Sequence, residues 1–248
     1  MYIDCMEEKE LDRLKEEHNL LVFSYLTLRN LIGFCGILLP LILIGTTVID
    51  ENGSRIAPSI SDYYYTSNGD VLVVVLCILG VFLLTYKGYT RNERILSSLA
   101  AVSAIGVGFS PTSASNVSSA SIHVANETVP YWFGIQLHLL FAAVFLISLA
   151  LISLVYFPRS NHSIIAVNSQ KHKRNRIYKI SGWLMLSCLL LIAAYFTFKP
   201  KWLQGIPVVF ILEAVAIEFF GLAWITKGET LWPDGEHYIR KAYRTWKN

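Results

Sequence analysis

The chain is predicted to be an all-α polytopic membrane protein, a bundle of six transmembrane helices. Three observations point there: six long apolar stretches, lysine and arginine gathered on alternate connections between them, and a low overall charge content. The stretches are approximately 31–49, 71–86, 95–111, 132–157, 180–198 and 206–226, against the ~20 residues that carry a helix across ~30 Å of hydrocarbon. Of the 21 basic residues, 18 lie before the first stretch, after the sixth, or between the second and third or the fourth and fifth. Only Arg55, Lys199 and Lys201 fall on the other connections. Because basic loops stay in the cytoplasm, both termini are expected there, and an even number of spans independently puts them on one side.

Composition agrees. Hydrophobic residues make up 54% of the 248 and charged residues 16%, where soluble domains carry roughly 25% charged. The net charge of +3 is accounted for by the cytoplasmic loops and does not suggest nucleic acid. The first 17 residues include seven acids, and the first long apolar run begins only near Leu20. No cleavable signal peptide is therefore expected, and the first span should serve as a signal anchor. The reading is a cytoplasmic helix with an interfacial segment over 1–30, a membrane domain over 31–226 and a cytoplasmic tail over 227–248.

Residues 4–17 mix acids and bases at three- and four-residue spacing without glycine or proline, the pattern of an exposed charged helix. Residues 20–28 are apolar but end at Arg29-Asn30, and fit either an in-plane segment or an extension of the first span. The first span contains Gly33, Gly36, Gly45 and Pro40, suited to close helix contact and a kink. The third is nearly all small, through Ser97, Ser98, Ala100, Ala101, Ser103, Ala104, Gly106 and Gly108. It is expected to be central and packed on several sides. Tyr131, Trp132 and Trp202 mark outer span ends, and Tyr86, Tyr89, Tyr156, Tyr178, Trp183 and Trp224 inner ones, as amphipathic rings do at headgroup level. Cys35, Cys77 and Cys188 lie within spans and Cys5 near a terminus. They read as buried thiols rather than a disulfide or zinc framework.

Chemistry is sought where polar groups meet the membrane. The first outer loop, Pro58-Ser59-Ile60-Ser61-Asp62-Tyr63-Tyr64-Tyr65-Thr66, with Asp70 beyond it, combines two carboxylates, several hydroxyls and three adjacent phenols. It fits a lipid headgroup, a cation or a polar substrate; alternatively, Asp70 caps the second span and the tyrosines anchor at the interface. Within spans lie His138, Glu213 and Glu218. Ionisable groups in hydrocarbon are costly and face an interior, a water-filled path or a partner. His138 and Glu213 are each expected about two turns into their spans, at similar depth. Glu218 is offset from Glu213 by roughly 140° around the helix, so Glu213 is the better partner for His138, in a site or as a structural pair. His138, Asp70 and Glu213 make a thin ligand set for a metal hydrolase, and no HExxH or P-loop stands out. Asn52, Asn116 and Asn126 head glycosylation-type tripeptides on outer loops. The cluster Lys171-His172-Lys173-Arg174-Asn175-Arg176 suits anionic headgroups or topology determination.

Three further features carry a resemblance: Arg174-Asn175-Arg176-Ile177-Tyr178 before the fifth span, Trp224-x-x-Lys227-Gly228-Glu229 after the sixth, and Pro58-Ser59-Ile60-Ser61-x-Tyr63-Tyr64 in the outer loop. With Asp70 and His138, they make the chain resemble a family of uncharacterised bacterial six-span membrane proteins. More distantly it is similar to the Frag1/DRAM/Sfk1 group, whose members are associated with membrane lipid organisation and autophagy. The tyrosine run departs from that group, and the resemblance supplies no catalytic residues.

The expectation is a protein of the bacterial inner membrane that binds lipid or a small polar ligand or cation non-enzymatically, without a cofactor. The outward-facing site would comprise His138, Glu213, Asp70, Asp62, Tyr63 and Ser61. A metal-dependent lipid hydrolase and a proton or ion pathway through Glu218 are the alternatives. Oligomeric state is left open.

Overall fold

The computed structural model describes residues 25–47, 56–66, 68–110, 131–132, 135–159 and 169–231. The charged helix at 4–17, the three glycosylation-type asparagines, Cys5 and most of the tail lie outside the described residues. Six long helices run through those described: α1 (Tyr25–Thr47), α2 (Gly69–Thr85), α3 (Arg91–Phe109), α4 (Leu137–Leu151), α5 (Ser169–Phe198) and α6 (Val208–Lys227). A π-helical turn, Ile152–Tyr156, prolongs α4, and a two-residue antiparallel hairpin pairs Tyr131 with Gln136 and Trp132 with Ile135. The protein is thus an all-α bundle.

Four helical segments are long and apolar enough to cross a membrane: α1, α4 with its π turn, residues 171–198 of α5, and α6. The apolar α2 has 17 residues. The 19-residue α3 opens on Arg91, Asn92, Glu93 and Arg94.

Several boundaries differ from the hydropathy reading, each for a local reason. Residues 25–30 are continuous with α1, so over that stretch the extension reading holds rather than the in-plane one. Helix α5 reaches back to Ser169 and takes the basic cluster into its first turns, because lysine, arginine and glutamine are good helix formers and nothing there breaks the helix. Helix α3 starts early because Thr90 accepts a hydrogen bond from the Glu93 amide (3.2 Å), while the Glu93 carboxylate accepts from the Tyr89 amide (2.9 Å), a variant of the capping box. Helix α4 starts late, the hairpin occupying the beginning of the expected fourth span. His138 is therefore its second residue rather than two turns deep.

Successive helices α2 to α6 pack on their neighbours in sequence. The ring closes between α6 and α1, where Gly33 and Gly221 face each other: a Cβ on Gly221 would stand 2.6 Å from the Gly33 carbonyl oxygen, and one on Gly33 2.8 Å from that of Gly221. Only hydrogen fits there, so the backbones approach closely, as small residues permit between membrane helices.

Helix α3 lies between α2 and α4. Its Ser97, Ala100, Ala101, Ser103, Ala104 and Gly108 are buried, whereas Ile95, Leu99, Val102 and Phe109 form an exposed stripe. It packs against α2 and α4, as expected of a helix packed on several sides, but keeps an outward face and is not enclosed at the centre. The small residues take the two helix contacts, and the few large ones face outward.

The two ends of the bundle can be told apart. At the proximal end, where α1 begins and α6 finishes, Asn30 donates to the Gly228 carbonyl (3.0 Å) and accepts from Thr230 Oγ1 (2.7 Å). Trp224, fully buried, meets the rings of Tyr86, Phe157 and Phe220 at 4.8, 5.2 and 6.1 Å. Trp224, Tyr86 and Tyr178 are buried core residues, not the interfacial belt expected of them. Trp183 and Tyr89 are exposed as a belt requires, as is Trp202 at the distal end.

Candidate functional site at the distal end

The loop between α1 and α2 folds into a 3₁₀ turn, Ser61–Tyr65, held against the bundle by backbone and side-chain bonds. The Pro58 carbonyl accepts from the Phe210 amide (2.9 Å), satisfying one of the first-turn donors that a helix cannot pair internally. Two residues on, the Ile60 amide donates to Glu213 Oε2 (2.7 Å). Pro58 to Ile60 therefore lies along the first turns of α6. Gly69 closes the segment, since a Cβ there would run into the Tyr64 carbonyl.

The next residue is gripped from α4. Ser61 Oγ lies 2.7 Å from His138 Nε2, and His138 Nδ1 lies 2.6 Å from the Ser110 carbonyl oxygen. A carbonyl only accepts, so Nδ1 carries the proton. In the neutral ring Nε2 then holds the lone pair, and the Ser61 hydroxyl donates to it. Ser110 ends α3 immediately before Pro111. A helix that stops ahead of a proline leaves its last carbonyls without internal partners, and His138 takes one of them.

Of the expected site residues, the structure joins Ser61, His138 and Glu213 through one loop. His138 and Glu213 do not bond each other; their bonds go to adjacent residues, Ser61 and Ile60. Asp62 is buried, and its amide donates to Ser59 Oγ (3.1 Å). Tyr63 is wholly buried against Phe210, ring centres 5.9 Å apart, and so forms core rather than a ligand surface. Asp70 does not cap α2: the helix begins at Gly69, which places Asp70, exposed, in the first turn. Glu218 is half-buried and makes no hydrogen bond among the described residues. Sequence reasoning missed the Ile60 amide and the Ser110 carbonyl. The second had a signal in Pro111, the first had none.

Among the described residues, no three or more His, Cys, Asp or Glu side chains are grouped to hold a metal ion. His138 is 4% exposed and Ser61 half-buried. The arrangement thus offers a hydroxyl on a half-buried serine, a buried imidazole of fixed tautomer bonded to it, and a carboxylate bracing the backbone next door.

The fold and site define a helical membrane bundle with a polar loop clamped at one end. No family model matches the chain, and no curated protein or solved structure is significantly similar to it.

Proposed function

We propose that the protein is a six-span integral membrane protein of the bacterial inner membrane that binds a lipid headgroup or small polar ligand at its distal end. In this reading α2 and α3 cross the membrane with the other four, both termini are cytoplasmic, and the distal end faces outward. The basic residues on alternate connections support that orientation. One observation carries the ligand reading: polar side chains of α4 and α6, His138 and Glu213, converge on Ser61 and Ile60 at the bundle's rim, with the Ser110 carbonyl holding His138 from behind. Ser61 is half-buried, and buried polar networks in membranes are costly unless satisfied. A headgroup would hydrogen-bond Ser61 and lie over the loop between the ends of α4 and α6.

Among the described residues, Asp70 is not gathered with His138 and Glu213 and no hydrogen bond joins Glu218 to either group, so neither the metal-hydrolase nor the relay reading draws support from them. Orientation is tested with an alkaline phosphatase reporter after Ser115 and a cytoplasm-active reporter after Ser169, both expected to be active; the reverse pattern refutes it. Binding is tested by thermal unfolding of the purified protein with added phospholipids of defined headgroup. At least one class should raise the wild-type midpoint and raise that of His138→Ala less. Equal shifts for both proteins with every headgroup would remove the site.

A further inference from the structure

We propose that Ser61 and His138 form a nucleophile and general base that cleave carboxylic esters, of the kind that join acyl chains to membrane lipids. The inference rests on the outward-facing reading of this site and adds chemistry to it. Its basis is geometric. Nucleophilic serines need a base within hydrogen-bond reach and a third group that orients the base. Ser61 Oγ and His138 Nε2 are 2.7 Å apart, and the Ser110 carbonyl, 2.6 Å from Nδ1, fixes the tautomer that leaves Nε2 free to take a proton. Ser110 is thus a positioning residue.

Three further observations fit. The base is buried and the serine only half-buried, the order of depth that an ester approaching from outside the bundle requires. The serine's backbone is braced by Glu213 through the Ile60 amide and by Phe210 through the Pro58 carbonyl, the kind of rigid support a reacting group needs. Finally, the site lies at the rim of the bundle, where His138 is the second residue of α4 and Ser110 follows the last residue of α3. In a membrane this is the level at which the ester linkages of lipids lie, between headgroup and acyl chain.

The reaction balances with water alone. Ser61 Oγ adds to the ester carbonyl carbon as its proton passes to His138 Nε2. The carbonyl re-forms, the C–O bond to the alcohol breaks, and the alcohol leaves with the proton from Nε2. Water, deprotonated by the same nitrogen, attacks the acyl-serine. The carboxylic acid departs, and Ser61 recovers its proton. One ester and one water give one acid and one alcohol.

The test uses the full chain in nanodiscs and an alkyl fluorophosphonate, whose phosphorus accepts an activated serine with loss of fluoride. Peptide mass spectrometry should find the phosphonyl adduct on Ser61 and not on Ser59. Ser61→Ala should abolish it, and His138→Gln should slow it about 100-fold or more. No Ser61 adduct on wild type with a normal melting transition, or labelling at an undiminished rate in His138→Gln, would overturn the proposal. Should His138→Gln fail to fold, Ser61→Cys replaces it: its thiol, still facing His138, should react with iodoacetamide at least about tenfold faster than that of Ser59→Cys, an effect of lowered thiol pKa. Equal rates would overturn the proposal as well. Lipid-dependent stabilisation without any Ser61 adduct refutes the nucleophile and leaves the binding reading standing. An adduct without such stabilisation supports the nucleophile and sinks the binding reading.

Discussion

The two ends of the bundle are built on different principles. The proximal end is closed by bulk and charge buried together. Trp224 sits among Tyr86, Phe157 and Phe220, and the Arg29 guanidinium lies 4.1 Å over the Tyr25 ring and 5.7 Å over that of Tyr86. Lys227 Nζ donates to the Phe157 carbonyl (3.1 Å). The Tyr86 hydroxyl donates to Glu93 (2.7 Å), and the Tyr25 hydroxyl to the Lys87 carbonyl. These bonds tie helix termini to one another. Among the described residues the distal bonds centre on a loop: Pro58, Ile60 and Ser61 each bond α4 or α6, and His138 also joins α4 to the residue after α3. A lock formed by aromatic packing resists opening everywhere at once, whereas a clamp on two loop residues leaves a half-buried serine at the rim. The first arrangement suits holding the bundle together, and the second suits meeting a ligand.

That contrast can be broken by substitution. The largest effect is expected from Trp224→Ala, which empties the centre of the proximal lock and should destabilise the protein by about 3–5 kcal/mol, read as a lowered unfolding midpoint in detergent. Gly221→Val comes next. Its added side chain meets the Gly33 carbonyl and Ile37, and overpacking of this kind costs about 1–3 kcal/mol. At the distal end, Glu213→Leu leaves the Ile60 amide without its acceptor and should cost about 1–3 kcal/mol. Glu213→Gln keeps an acceptor oxygen and should cost clearly less. If Gln and Leu destabilise equally, the Ile60 bond is not what Glu213 supplies. Smallest is Asp70→Asn, an exposed first-turn position, with about 0.5 kcal/mol or less; a large loss there would mean that Asp70 belongs to the clamp after all.

The sequence and the structure agree where free energy is set by hydropathy alone. The six helices coincide with the apolar stretches, and four of them are long and apolar enough to cross hydrocarbon. Disagreements arise where local chemistry decides. Thr90 and Glu93 start α3 before its apolar stretch, and the basic turns of α5 are helical without being apolar. Tyr86 and Trp224 carry the composition of an interfacial belt, yet pack inward. A ring's amphipathic character does not reveal which face of the helix it occupies, and that depends on the order of packing. The site was legible in its components but not in its connections. His138, Glu213 and Ser61 stood out as costly or distinctive groups. Their meeting through Ile60 and Ser61 depends on a loop folding back along α6, which no spacing in the chain encodes. Ser110 was visible only as the residue before Pro111.

The account's central claim is that the distal clamp serves a ligand while the proximal lock serves the fold. Native mass spectrometry of the protein released from nanodiscs, comparing wild type with His138→Ala, Glu213→Gln and Asn30→Ala, tests it most directly. Asn30→Ala removes the bonds to Gly228 and Thr230 and should lower the melting midpoint while retaining the wild-type set of bound lipids. The two distal variants should lose or exchange a bound lipid or small molecule with less change in the midpoint. Identical bound species in all four proteins, with differences confined to stability, would contradict the claim and make the clamp a second structural lock.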